Sequence, residues 1–184
     1  MAAQTEKLVF GMCMGAAAPG KSKSKYEFVR DPASAEWKEL AAIPDWRRVL
    51  SSLYATRLRI NGLEFGSAEH YLQYRKAAIA DEKRAAAMFC LDPRAGVSAG
   101  TGVDAWKARK KIHLTPAQIA EWETKVESQA KQELRQAKFA PGTVARKVLL
   151  ATGEAELWSV VPRKQPIRMH RHEQLRRELR KQIA

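Results

Sequence analysis

Apolar residues recur along this chain with two periods, and each change of period marks a change of element. Leu8, Val9 and Phe10 lie in a short β-prone run over residues 7–12, and a small, polar, basic segment over 15–25 then reads as a loop. Trp37, Leu40, Ala41, Trp46 and Leu50 space a short helix and a turn over 34–50, with Pro44 as the interruption. Residues 57–60 and 63–65 flank Asn61-Gly62, the dipeptide that supplies the positive φ angles of a type I′ turn, so a β-hairpin is predicted there. Ser67 caps a helix running to about Ala80, and Asp81 caps another through Met88. Asp92-Pro93 and Gly96, Gly100 and Gly102 mark a loop.

The longest periodic stretch opens at Thr115-Pro116-Ala117-Gln118, a capping box with proline in the first helical position. Ile119, Trp122, Val126, Ala130, Leu134 and Ala137 follow at spacings of three and four, one face of a helix of about six turns. Pro141-Gly142 stops it, Thr143 opens a shorter helix carrying Val144, Val148 and Leu149, and Gly153 ends that one. A final helix is expected over 168–183, with Met169, His172, Leu175, Leu179 and Ile183 inward and Arg171, Arg177, Arg180 and Lys181 outward. No internal repeat appears. The expected fold class is α+β, mostly α-helical with a small antiparallel sheet. Residues 1–33 read as an N-terminal strand and basic flexible loop, and 34–184 as one body ending in a basic helix.

Composition narrows the class. Of 184 residues, 45% are hydrophobic, but 30 are alanine, which leaves core-filling side chains for one body only. Two cysteines, Cys13 and Cys90, cannot build a disulfide framework, so an intracellular, reducing compartment is expected, with an organelle or virion compatible with the same features. No apolar run approaches the roughly 18–20 residues that cross a bilayer, and the opening MAAQTEK has neither the basic nor the apolar region of a secretory signal. No membrane partner is expected. His170 and His172 are two apart on a helix and point away from each other, so neither a metal site nor a cofactor is expected.

The formal net charge of +13 is unevenly spread. Residues 163–184 hold eight basic and two acidic side chains; Lys21, Lys23 and Lys25 form a second cluster, and Lys107, Arg109, Lys110 and Lys111 a third. With Arg171, Arg177, Arg180 and Lys181, these residues suit a nucleic acid or an acidic protein as partner, and equally a solvated helix face with a mobile tail.

The segment from Gly15 to Ser22, GAAAPGKS, satisfies the phosphate-loop pattern G-x-x-x-x-G-K-[ST], after a possible strand. Its continuation KSKYEFVRDPAS has no helical apolar stripe, and no later strand ends in an aspartate for magnesium. Nucleotide-triphosphate hydrolysis is therefore not the expected activity.

Residues 50–76, LSSLYATRLRINGLEFGSAEHYLQYRK, carry a set of chemistry-bearing side chains. Glu69, Gln73 and Lys76 stand at i, i+4 and i+7 and share one helix face beside the apolar stripe of Ala68, Leu72 and Ile79. A carboxylate in the first helical turn sits where the helix dipole favours negative charge, which suits a base or an electrostatic stabiliser. A hydrogen-bonded structural network around a helix start accounts for the same three residues. Leu50-Ser51, Gly62, Ser67, Glu69, His70, Gln73 and Lys76 resemble, in order and spacing, the NADAR (YbiA-like) family, whose pattern is L-S-N-F, a strand, a d-G turn and S-x-E-H-x-x-Q-x-x-K. The likeness extends through Leu114-Thr115, Trp122, Ala137-Lys138-Phe139, residues 149–153 and Leu157.

The resemblance implies a YbiA-like fold and hydrolysis at an anomeric carbon, since family members are N-glycosidases acting on ribosyl-linked compounds, including riboflavin-pathway intermediates and ADP-ribosylated guanine. The implied ligand is a phosphorylated ribosyl compound or an ADP-ribosylated substrate, with Glu69 catalytic. Gln73 would orient ribose hydroxyls, Lys76 would meet phosphate or polarise an oxygen, and Trp122 would stack on a base. The family's later W-G-x-G loop is absent, and Arg163 is the expected substitute anion contact. Ser52 and Leu53 stand where the family has asparagine and an aromatic residue, and the lysine of its A-K-x-x-G loop has no counterpart between 95 and 102. The functional expectation is twofold: a hydrolase using Glu69, or a catalytically degenerate family member serving as a basic structural component of a nucleoprotein or other macromolecular assembly.

Overall fold

The structure, a computed structural model, describes residues 4–15, 17–92, 94 and 96–183. In chain order its elements are β1 (Lys7–Phe10), α1 (Lys38–Ala42), α2 (Trp46–Val49), β2 (Ala55–Ile60), β3 (Leu63–Ser67), α3 (Ala68–Ala78), α4 (Glu82–Phe89), α5 (Gly102–Ala108), α6 (Pro116–Glu121), α7 (Glu127–Lys138), α8 (Val144–Ala151), β4 (Glu156–Ser159), β5 (Ile167–Arg168) and α9 (His170–Lys181). This is an α+β fold dominated by helix, as expected. Its contacts divide into two units. One joins the described residues up to Ser51 with those from Pro141 onward, and the other is Ser52–Ala140.

In the first unit the strands are ordered β1-β4-β5. β1 runs parallel to β4, with Leu8 opposite Leu157 and Val9 opposite Trp158, and β5 closes the other edge of β4 antiparallel. Leu8, Val9 and Phe10 are all buried, the unbroken apolar run of a strand covered on both faces. Trp37, Leu40, Trp46, Val49, Val148, Leu149, Leu175 and Leu179 complete the core around the sheet. Neither β4 nor β5 was expected. Each is too short to show a period, and Pro162 and Pro166 break up the chain between them.

α9 lies at its expected place, but its buried side is partly ionic. Glu173 accepts the Leu157 N–H at 2.9 Å and pairs with Arg168, and Arg176 donates to Thr152 Oγ1 at 2.7 Å. Ile183, expected inward, is 63% exposed, because the helix ends at Lys181 before its stripe reaches that residue.

The second unit begins with the predicted hairpin. Ile60 pairs with Leu63, and Asn61 (φ 53°) and Gly62 (φ 81°) form the left-handed turn. Ser67 ends β3 and caps α3, its side chain accepting from the His70 N–H, and Asp81 caps α4 through the Arg84 N–H. Leu58, Ile60, Phe65, Tyr71, Tyr74, Phe89 and Trp122 form the core, with Phe65 and Tyr71 packed edge to face at 5.1 Å. α5 was not expected. Its signal was hidden because Gly102 reads as loop, yet a Cβ at that position would collide with the Leu53 backbone, and Thr101 and Asp104 form a reciprocal capping box around it.

The long periodic helix exists from Pro116 to Lys138, with a π-helical turn at Trp122–Val126 joining α6 to α7. The wider turn rotates the apolar face, so Trp122 and Ala130 are buried while Ile119, placed on the same stripe by its spacing, is 41% exposed. Among the described residues no helix is long and apolar enough to cross a membrane. Pro93, part of the predicted loop signal, lies outside the described residues.

Candidate functional site

The cap at Ser67 decides where Glu69 stands. With Ser67 extended and accepting from the third residue on, Glu69 becomes the second residue of α3, and its N–H is free to donate to Ser52 O at 2.9 Å. The Ser52 hydroxyl returns to the same residue, donating to Glu69 Oε2 at 2.9 Å, while Gln73 Nε2, one turn on, donates to Glu69 Oε1 at 2.8 Å. The carboxylate is therefore buried, 7% exposed, and held from both sides. Two of its roughly four lone-pair positions remain open to a further donor.

Gln73 contributes a second feature. Its amide must point Nε2 at the carboxylate, because the reverse would set oxygen against oxygen. That fixes Oε1, which is buried and without a hydrogen-bond partner among the described residues. A buried acceptor left unpaired costs about 1–3 kcal/mol.

Lys76 is tied to this cluster by no hydrogen bond or ion pair among the described residues. Seven residues from Glu69, it lies about 10 Å further along the axis of α3, and its Nζ stands 6.0 Å from the Trp122 ring centroid. The sequence-predicted residues thus separate into two contacting pairs, Glu69 with Gln73 and Lys76 with Trp122. Trp122 is the first residue of the π turn, the one irregular turn of its helix. Arg163 belongs to the first unit, in an exposed turn at φ 63°.

His70 has a structural place. Its Nδ1 lies 2.8 Å from Ser67 Oγ and its Nε2 2.9 Å from Val97 O, with both side chains completely buried. The carbonyl requires Nε2 to carry the proton, so Ser67 donates to Nδ1 in the geometry of a serine–histidine pair sealed from any substrate. Ser52, noted in the sequence only as a departure from the family pattern, is the residue whose importance went unread. Its link to Glu69 spans seventeen positions and leaves no periodic trace.

The phosphate-loop-like segment is also explained by its contacts, apart from Ala16, which lies outside the described residues. Glu27 Oε1 accepts from the N–H groups of Gly20 (2.8 Å) and Ser22 (3.3 Å), and Oε2 accepts from Val9. Arg47 grips both oxygens and donates as well to the carbonyls of Val9, Ala17 and Ala18. The amides that a phosphate loop presents to its ligand are here taken by a carboxylate of the same chain, and no long helix comes after them.

Of the basic residues, Lys21, Lys23, Lys25, Lys107, Lys110, Lys111, Arg171, Arg177 and Lys181 are exposed. Arg109 lies 3.6 Å above the ring of Trp106, itself 44% exposed. Arg180 is engaged by Glu154 and by Leu150 O. Among the described residues, no three His, Cys, Asp or Glu side chains come together as a metal site.

Two titrations stand out in the second unit. Burial raises the Tyr71 phenol above its ordinary value, with the hydrogen bond to Glu133 acting in the same direction. Burial pushes the Lys138 ammonium down to about 7. Compared with protein-family models, with curated proteins and with solved structures, the chain finds no match.

Proposed function

We propose that the chain is a NADAR-like hydrolase of ribose N-glycosidic or ADP-ribosyl linkages, with Glu69 as base or oxocarbenium stabiliser. The observation that carries this reading is the unpaired, buried Gln73 Oε1 beside a carboxylate fixed by Ser52 and Gln73 itself. A ribose hydroxyl is a donor of the right kind for that oxygen once a shift of the surrounding side chains uncovers it, and donating there would set the sugar beside Glu69. As the C1′–N bond breaks, its electron pair leaves with the base and positive charge grows on the sugar, where a carboxylate stabilises it. Glu69 takes a proton from the water whose oxygen bonds to C1′, and the departing nitrogen is protonated in turn. Lys76, some 10 Å along the helix, suits the phosphate end of a ribosyl phosphate or ADP-ribosyl ligand, and Trp122 offers a ring beside it.

The test is turnover of a panel of ribosides and ADP-ribosylated nucleosides by wild type and Glu69→Gln. Loss of turnover in the variant, with the fold retained, supports the reading. Equal turnover by both proteins sinks it.

A second reading, a family fold kept as a basic component of a nucleoprotein or other assembly, is favoured by α5 and the turn after it. There Arg109 stacks on the exposed Trp106 between Lys107 and the exposed Lys110 and Lys111. An aromatic ring amid cations suits a polyanion with stackable bases. Salt-dependent binding of single-stranded RNA, lost in Trp106→Ala with Arg109→Ala and kept in Glu69→Gln, is the result this reading requires.

A further inference from the structure

A cavity lies wholly within the first unit, and none of the residues of the Glu69 cluster lines it. It has a volume of about 300 Å³, the lower end of the range for small-molecule sites, and is walled by Lys7, Lys25, Tyr26, Phe28, Trp158 and Gln165. Its walls are anchored to the sheet. Lys7 and Phe28 exchange both backbone hydrogen bonds, at 2.7 and 3.0 Å, which ties the segment after the basic loop to β1. Trp158 sits in the middle of β4, and the Tyr26 hydroxyl donates to Gln165 Oε1 at 3.4 Å across the groove.

The lining combines two chemistries. Tyr26, Phe28 and Trp158 are half-buried rings, a setting that takes a flat aromatic group. Lys7 Nζ lies 5.7 Å from the Trp158 ring centroid and Lys25 Nζ 5.3 Å from that of Tyr26, so an ammonium stands at each of two rings. The nearby carboxylates do not cancel both. Glu27 is committed to Arg47 and to backbone amides, and Glu156 pairs with Arg168 at 2.8 Å, accepts from Trp158 Nε1 and reaches Lys7 only at 3.9 Å. Lys25 has no carboxylate partner among the described residues.

We propose that this groove binds a mononucleotide, its base against the rings of Tyr26 and Trp158 and its phosphate on Lys25 and Lys7. A neutral aromatic ligand leaves Lys25 unanswered, and an acidic peptide leaves the rings unanswered; a nucleoside phosphate uses both. The amide of Gln165 supplies the hydrogen-bonding edge that meets a base.

The experiment is calorimetric titration of the intact chain with the four common ribonucleoside 5′-monophosphates, with adenosine, inorganic phosphate and hexaglutamate as separate arms. At least one mononucleotide is expected to bind saturably, and at least about tenfold more tightly than adenosine, phosphate or hexaglutamate. Trp158→Ala is expected to weaken it by roughly fivefold to a hundredfold, with Trp158→Phe recovering most of the loss, and Lys25→Ala to weaken it and flatten its salt dependence. Lys25 is exposed, so its removal leaves the fold intact and keeps the test open if Trp158→Ala misfolds. Glu69→Gln is expected to bind like wild type, which separates this proposal from the hydrolase reading. Absence of saturable binding by all four mononucleotides, equal binding of hexaglutamate, an oligonucleotide that binds where mononucleotides do not, or unchanged affinity in Lys25→Ala overturns it.

Discussion

Ser52 and Glu69 hold each other twice: the Ser52 carbonyl accepts the Glu69 N–H, and the Ser52 hydroxyl donates to the Glu69 carboxylate, both at 2.9 Å. The first bond uses the backbone carbonyl and does not depend on the side chain at 52, whereas the second requires a hydroxyl there. Ser52→Ala is expected to cost about 1 kcal/mol of stability and to lower kcat for any riboside the wild type hydrolyses by at least tenfold, with KM little changed. Urea unfolding alongside steady-state kinetics checks both. A kcat equal to wild type would show that the hydroxyl is structural only.

Gln73→Met keeps the length of the side chain while removing both the donor to Glu69 and the unpaired acceptor. Losing one hydrogen bond but also one buried orphan, the variant is expected to stay within about 1 kcal/mol of wild-type stability. Its kcat/KM is expected to fall more than its stability does. Thermal unfolding and kinetics on the same preparation read the two effects separately.

Arg47 and Glu27 form the most deeply buried ion pair among the described residues, their side chains 1% and 2% exposed. Arg47→Ala strands the Glu27 carboxylate and is expected to cost about 3–5 kcal/mol in urea unfolding. Arg47→Lys is expected to recover little of this, because a lone ammonium cannot span both carboxylate oxygens and the three carbonyls that the guanidinium serves.

Lys138 predicts a rise of stability with pH. Its ammonium is held near 7 in the folded chain against an ordinary 10.5, so over that window the unfolded chain binds more protons than the native one and stability climbs. The destabilisation is complete below about pH 7. Above about pH 10 the raised Tyr71 phenol acts in the opposite direction, since the native state then keeps a proton that the unfolded chain loses, and stability falls there as pH rises further. Urea midpoints measured from about pH 7 to 10 are expected to increase in wild type and to stay flatter in Lys138→Met.

The caps at Ser67, Asp81, Thr115 and Thr143 and the Asn61-Gly62 turn were all legible in the sequence, and so were the helices and hairpin they begin or join. Each is a bond or a backbone angle set within three or four residues, so spacing along the chain is the same as spacing in space. The sharing of one helix face by Glu69 and Gln73 was legible for the same reason.

Tertiary structure alone decided the rest. Ser52 reaches Glu69 only when the hairpin folds back, Glu27 takes the amides of the phosphate-loop-like segment only when Arg47 closes over it, and β1 meets β4 across more than a hundred and forty residues. Even the long apolar stripe failed at Ile119, because one π turn at Trp122 sets the helical turns before it out of phase with those after it. Periodicity in a sequence records which face of an element is apolar. Which distant partner satisfies a buried charge or an unpaired amide depends on packing and chain closure, and no local pattern encodes either.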